Sequence, residues 1–219
     1  MTFQVPTAAG RMVPLASTLP GDVSIRAVAA QLSALALWHG ATTVPYHPAQ
    51  RAVLMSETFA GSREALHALL WPAPLAFLGI IEPAVRADLT AGPWGEAIEA
   101  ALRRREAIIR HAVALAAGLG DIGDLFAAEL AHVERVVIAT ELRDLNLPPG
   151  LAGTIGPLPG PLRQRIQPWP WEKAEHRFLR RWRLLAEIEG LDPWRSEHHP
   201  DRPAPAACRP GFNEEHPIP

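Results

Sequence analysis

Hydrophobic positions recur at helical spacing through most of this chain. Val28, Leu32, Leu35 and Trp38 fall on one face of a helix predicted from about Ile25 to Trp38. Ser24 is placed to cap it, and Gly40, free to take positive φ, to end it. Pro48 suits the first turn of a second helix over about 48–58. Ser62 is placed to cap a third that reaches Leu70, where Pro72, which lacks a backbone donor and crowds the preceding turn, imposes a kink or a stop. Pro93 precedes a long helix over about 94–117. Its apolar positions Ile98, Leu102, Ile109 and Val113 oppose an arginine-rich face of Arg103, Arg104, Arg105 and Arg110. Another helix is predicted from about Asp124 to Leu142, and the last from Trp171 to Ile188 with Phe178, Leu179, Trp182 and Leu185 on one face. Near the N-terminus Ala9-Gly10-Arg11 is a turn signal between two short apolar stretches, which predicts a small hairpin. The Gly- and Pro-rich stretch from Pro148 to Pro170 reads as a loop. The predicted fold class is all-α, a helical bundle with a small N-terminal β-hairpin, spanning residues 1–190. After Gly190 aliphatic residues thin out, which predicts a Pro-rich C-terminal tail, 191–219, outside the core.

At 219 residues the chain can bury one substantial core. A net charge of −2 argues against broad electrostatic binding of nucleic acid. Cys208 is the single cysteine, which excludes an intrachain disulfide and suits a reducing compartment. Met1 to Leu19 holds no basic region followed by an apolar stretch, so no secretory signal is read there. The longest uncharged run, Ala65 to Ile81, holds Pro72 and Pro74 and falls short of the ~20 unbroken apolar residues of a membrane span. These points predict a cytoplasmic protein with neither a membrane nor a nucleic-acid partner.

Several short segments follow one another in a telling order. Gly10-Arg11 in the hairpin is followed by Asp22-Val23-Ser24-Ile25, then Ala29-Ala30-Gln31-Leu32-Ser33 and Trp38-His39-Gly40-Ala41-Thr42. Next come Tyr46 to Ser56, and Ala68-Leu69-Leu70 running on to Leu78-Gly79. Ala139-Thr140-Glu141-Leu142-Arg143-Asp144-Leu145 follows, then Ile166-Gln167-Pro168-Trp169 and Ala174-Glu175-His176-Arg177-Phe178-Leu179. This order resembles the HD-domain metal-dependent phosphohydrolases, in the branch of small hydrolases allied to the 5′-deoxynucleotidases. The resemblance implies an HD-domain-like helical bundle over roughly residues 9–188. In that family a His, a His-Asp pair and a distant Asp hold a divalent cation such as Mn, Co, Mg or Fe, which activates water against a phosphate ester.

Position by position, the resemblance puts the first family His on Arg51, the His-Asp pair on Trp71 and Pro72, and the last Asp on Glu134. Later acidic positions fall on Leu75 and Ile80, and a basic one on Leu37. Arginine is no metal ligand at neutral pH, and proline has no side-chain donor. Apolar residues at Trp71, Leu75 and Ile80 are what loss of the metal favours, because a buried carboxylate without its metal is costly. The implied protein is a catalytically inactive pseudo-phosphohydrolase, with no catalytic residue and no cofactor. It would act through a protein partner, through self-association, or through a nucleotide held near Trp38, Arg51 and Leu75. An Arg51–Glu134 ion pair beneath Trp71 is expected to fill the vacated centre; otherwise Arg51 faces solvent and Glu134 pairs with Arg135 or Arg110.

The alternative is a surviving hydrolase with a relocated metal. His47 lies one turn before Arg51 and His67 one turn before Trp71, so His47, His67, His132 and Glu134 are its candidate ligands. Against it, His47 reads as a helix cap and His67 as a core histidine. His198-His199 in the tail reads as solvated. The arginines of 103–105, with Arg177, Arg180, Arg181 and Arg183, read as solvated helix faces offset by Glu99, Glu106, Glu172 and Glu175. Trp169, Trp171, Trp182 and Trp194 are expected to pack the last helix onto the body.

Overall fold

The computed structural model describes residues 3–148 and 150–195. Strands β1 (Gln4–Pro6) and β2 (Met12–Pro14) pair antiparallel with Val5 opposite Val13. Nine α-helices follow among the described residues: α1 (Ile25–Ala34), α2 (Pro48–Glu57), α3 (Ser62–Leu70), α4 (Leu75–Leu78), α5 (Pro83–Thr90), α6 (Gly95–Ala116), α7 (Asp124–Asp144), α8 (Leu151–Ile155) and α9 (Trp171–Ile188). The mostly helical architecture with a two-strand hairpin is the one expected. No single described helix is long and apolar enough to cross a membrane.

α2 is the axis of the molecule. Every residue from Pro48 to Ser56 is buried, because α1, α3, α7 and α9 all pack around it. Ala49, Ala52 and Val53 join the larger core, with Val28, Leu66, Ile109, Phe178 and Trp182. Leu54 and Met55 face a second core built from Trp38, Tyr46, Leu130, Val137 and Ile166. The amphipathic face of α9 supplies Phe178, Trp182 and Leu185 to the larger core.

Side chains fasten the long connection between α7 and α9. Asp144 ends α7 and accepts hydrogen bonds from the Ile166 amide (2.8 Å) and Arg165 Nη1 (2.9 Å). Arg143 donates to the carbonyls of Leu162 and Gln164. The buried Gln50 of α2 donates to the Gln167 carbonyl and accepts from the Trp169 amide, both at 2.8 Å, as a strand neighbour would.

Several boundaries differ from expectation. Ser24 does cap α1, accepting from the Ala27 amide at 3.1 Å, but the helix stops at Ala34 instead of Trp38. Trp38 and His39 then take φ of +57° and +54° ahead of Gly40 at +69°, so a tight left-handed turn replaces the predicted last turn. Gly61, not Ser62, is the cap position of α3; Ser62 spends its hydroxyl on Glu189. α5 was not predicted. Its residues are all at least partly exposed, so it carries no clear apolar stripe. The loop over 148–170 contains the short α8. The expected tail boundary at residue 190 moves: Leu191 and Trp194 pack on the larger core, and Trp182 Nε1 donates to the Pro193 carbonyl at 2.9 Å. Trp171, expected to pack, is 43% exposed. The rest of the predicted tail, with His198-His199 and Cys208, lies outside the described residues.

Candidate functional site

Arg51 sits in the middle of α2, where a guanidinium is surrounded by core. Only about 6% of the residue is exposed. A cation placed so needs a partner, and α7 supplies it. Glu141, fully buried, accepts Arg51 Nε at 2.8 Å on one oxygen and Arg51 Nη2 at 2.6 Å on the other. The Trp38 indole N–H adds a third bond to Glu141 at 3.0 Å. Burial alone would lower the affinity of Arg51 for its proton; the Glu141 charge and hydrogen bonds outweigh it, and Glu134 adds to them. The guanidinium is therefore held above its ordinary range.

The left-handed turn at Trp38 is what aims the indole. A tryptophan at positive φ is strained by about 1–3 kcal/mol. The Trp38 backbone N–H donates to the buried carboxylate of Glu82, which precedes α5, so both polar ends of Trp38 are held by carboxylates. Tyr46 completes the wall. It is fully buried, and its hydroxyl makes no hydrogen bond of good geometry among the described residues; the Glu141 carboxylate is the group it approaches. Burial first, and the Glu141 charge next, push the phenol above its ordinary value of 10.0.

Glu134 lies two turns before Glu141 on the same face of α7. Its carboxylate accepts the Trp71 indole N–H at 2.9 Å and stands 3.9 Å from Arg51 Nη1. Arg110 of α6 sits over the Trp71 ring, 4.1 Å from its centre, and burial lowers its proton affinity despite Glu106 and Glu134 nearby. Arg110, expected on the arginine-rich face of α6, is thus stacked and half-buried. A cavity of about 260 Å³ opens beside this stack, bounded by His67, Leu70, Ile122 and Leu130.

Arg51, Trp71 and Glu134 are thus brought together, and Pro72 is buried next to Trp71. The expected Arg51–Glu134 contact exists only as a long one. The principal partner is Glu141, a correction with a simple cause: both oxygens of Glu141 face the guanidinium, while Glu134 is turned to the indole of Trp71. The heptad spacing of Glu134 and Glu141 was the signal that could have revealed this. Glu82 and the turn at Trp38 carried no comparable signal. Leu75 packs with the larger core and does not join Trp38 and Arg51 in a common pocket wall.

The four positions expected from the family offer no donor set for a divalent cation. They present one carboxylate, a guanidinium, an indole N–H and a proline ring. The relocated set fares no better. His47 donates through Nδ1 to the Leu35 carbonyl at 2.7 Å and does not cap α2 with its ring. His67 packs edge-on against Phe126, and burial, then Arg63, lower its proton affinity. His132 is exposed on α7. Among the described residues no group of three or more His, Cys, Asp or Glu could hold a metal ion.

No family model matches the chain, and no curated protein sequence matches it.

Proposed function

We propose that the chain is a catalytically inactive HD-fold protein, a pseudo-phosphohydrolase that works by binding a protein partner, a second copy included. One observation carries this reading. The polar groups at the centre are spent on one another: Arg51 on both oxygens of Glu141, Trp38 on Glu141, and Trp71 on Glu134. Chemistry on a phosphate ester needs a metal, or an uncommitted cation with an activated water. Neither role has a candidate side chain here. The same observation disfavours a nucleotide at Trp38, Arg51 and Leu75, because the Nε–Nη2 edge of the guanidinium already holds Glu141 and Nη1 stands 3.9 Å from Glu134.

The test is direct. Purified protein, supplied with Mn2+, Co2+, Mg2+ or Fe2+, is expected to retain no stoichiometric metal and to leave deoxynucleoside mono- and triphosphates intact. Metal-dependent turnover that disappears in Glu134→Gln would overturn the proposal. A thermal-shift series with the same nucleotides checks the ligand version, since a ligand at 100 times its Kd adds ~2.7 kcal/mol of stability.

A further inference from the structure

The last helix carries a surface that the closed centre does not explain. Lys173, Arg177, Arg180, Leu184 and Ile188 are all exposed and follow one another at spacings of three or four, so they form one line along α9. The first three are cations and the last two are aliphatic, with Leu184 50% and Ile188 63% exposed. The line is about 22 Å long at 1.5 Å per residue.

The cations are left without counter-charges. Among the described residues none of Lys173, Arg177 and Arg180 forms an ion pair, although Glu172 and Glu175 are on the same helix. Burial, then the Glu172 charge, raise the affinity of Glu175 for its proton. Lys173 and Arg177 share the Trp169 ring, at 5.9 and 5.8 Å from its centre. They stand one turn apart, as do Arg177 and Arg181, an arrangement of like charges that disfavours the helix. The chain's net charge is −2, so the stripe is not a by-product of a basic composition.

The aliphatic half of the line borders a cavity of about 450 Å³ between α9 and the turn that joins α2 to α3. Phe59, Ala65, Leu184, Leu185 and Ile188 are its apolar lining, and Glu57, Ser62 and Arg181 line it too. The cations thus lead into a recess whose apolar side is formed by Phe59, Leu184, Leu185 and Ile188.

We propose that this face docks an acidic, amphipathic segment of a protein partner. Its carboxylates would lie along Lys173, Arg177 and Arg180, and its apolar side chains would enter the recess beside Leu184 and Ile188. This deepens the reading of the chain as a binding protein and rests on it. A phosphate backbone matches only the cationic half and meets Glu57 at the recess, which favours a peptide over RNA.

The experiment is fluorescence anisotropy with the full chain. The probe is a labelled helical peptide with Asp and Glu in its first half and Leu and Phe in its second. Binding is expected to saturate and to weaken with salt. It should weaken about tenfold in the pair Arg177→Glu with Arg180→Glu, and by a similar factor in Leu184→Asp. Both variants are on the surface, and an unchanged Tm shows that the fold is intact. The proposal is overturned by no binding, by equal binding of a scrambled peptide, or by indifference to both variants. Tighter binding of an RNA oligonucleotide, or of phosphatidylcholine vesicles containing phosphatidylserine, overturns it too. Failure here with no hydrolase turnover removes this surface alone; turnover removes the inactive-protein reading whatever the peptide does.

Discussion

Arg51 and Arg86 each grip a glutamate with both prongs of the guanidinium, but only the first is shut away from water. Arg86 on α5 donates to the two oxygens of Glu99 on α6 at 2.9 and 3.0 Å and reaches Glu106 at 2.7 Å. It has more strong carboxylate contacts than Arg51, yet its side chain is 28% exposed against 7%. Contact number is therefore a poor guide to what each fork does. In water the Coulomb gain of a pair is largely screened, and its loss is absorbed by solvent. In the core the gain barely repays desolvation, but the loss of one partner strands the other. The Arg86 fork fastens α5, a helix with no buried residue, to the body. The Arg51 fork makes the centre all-or-none.

The sharpest way to break this contrast is Arg51→Ala, which leaves Glu141 charged and buried. We expect a loss of about 3–5 kcal/mol by urea denaturation, and recovery of most of it when Arg51→Met is combined with Glu141→Leu. A loss as small as that of a surface pair would mean that water reaches Glu141.

Next in size, and opposite in sign, is Tyr46→Phe. The hydroxyl is buried with no hydrogen bond of good geometry, only an approach to Glu141, so removing it should stabilise the fold by up to about 1 kcal/mol. Tyr46 is the only tyrosine, so its phenolate absorbance can be followed alone. Its folded proton affinity is raised, so its titration leaves stability unchanged below its ordinary value of 10.0 and lowers it as pH rises from there towards the folded value. Phenolate absorbance should appear together with alkaline unfolding, not before it.

The smallest effect belongs to the exposed fork. Arg86→Ala should cost no more than about 1 kcal/mol. Its signature is in acid: Arg86 and Arg103 hold Glu99 down to about 2. A depressed carboxyl stabilises above its ordinary range and loses that contribution as pH falls towards 2. The acid limb of a stability–pH curve should therefore flatten in Arg86→Ala. The limb due to Asp144, also held near 2 by Arg143 first, by the Ile166 amide and by Arg165, should remain.

Much of the helix plan was legible because it is written in local chemistry. Pro48 begins α2, and the stripe from Phe178 to Leu185 matches α9 from end to end. The turn at Trp38 was not legible, since a tryptophan at positive φ is held there by Glu82, 44 residues away. α5 was missed because Val85 and Leu89, its apolar pair, face solvent. At the centre, Arg51, Trp71 and Glu134 were found as neighbours by their places in an order of segments. The choice of Glu141 over Glu134 depends on how two α7 turns face α2, and on the Trp71 indole that turns Glu134 aside. Helix periodicity names the face; it does not say which of two glutamates on it is free.

The crowding around α2 also sets a timetable for synthesis. Its side chains wait for partners far along the chain: Arg51 for Glu141, 90 residues on; Gln50 for Gln167, 117 on; Ser56 for Arg181, 125 on. At about 5–20 residues per second a ribosome needs roughly 6–25 s to cover the longest of these gaps. For that interval the nascent α2 carries a guanidinium and an amide destined for the core but still facing water.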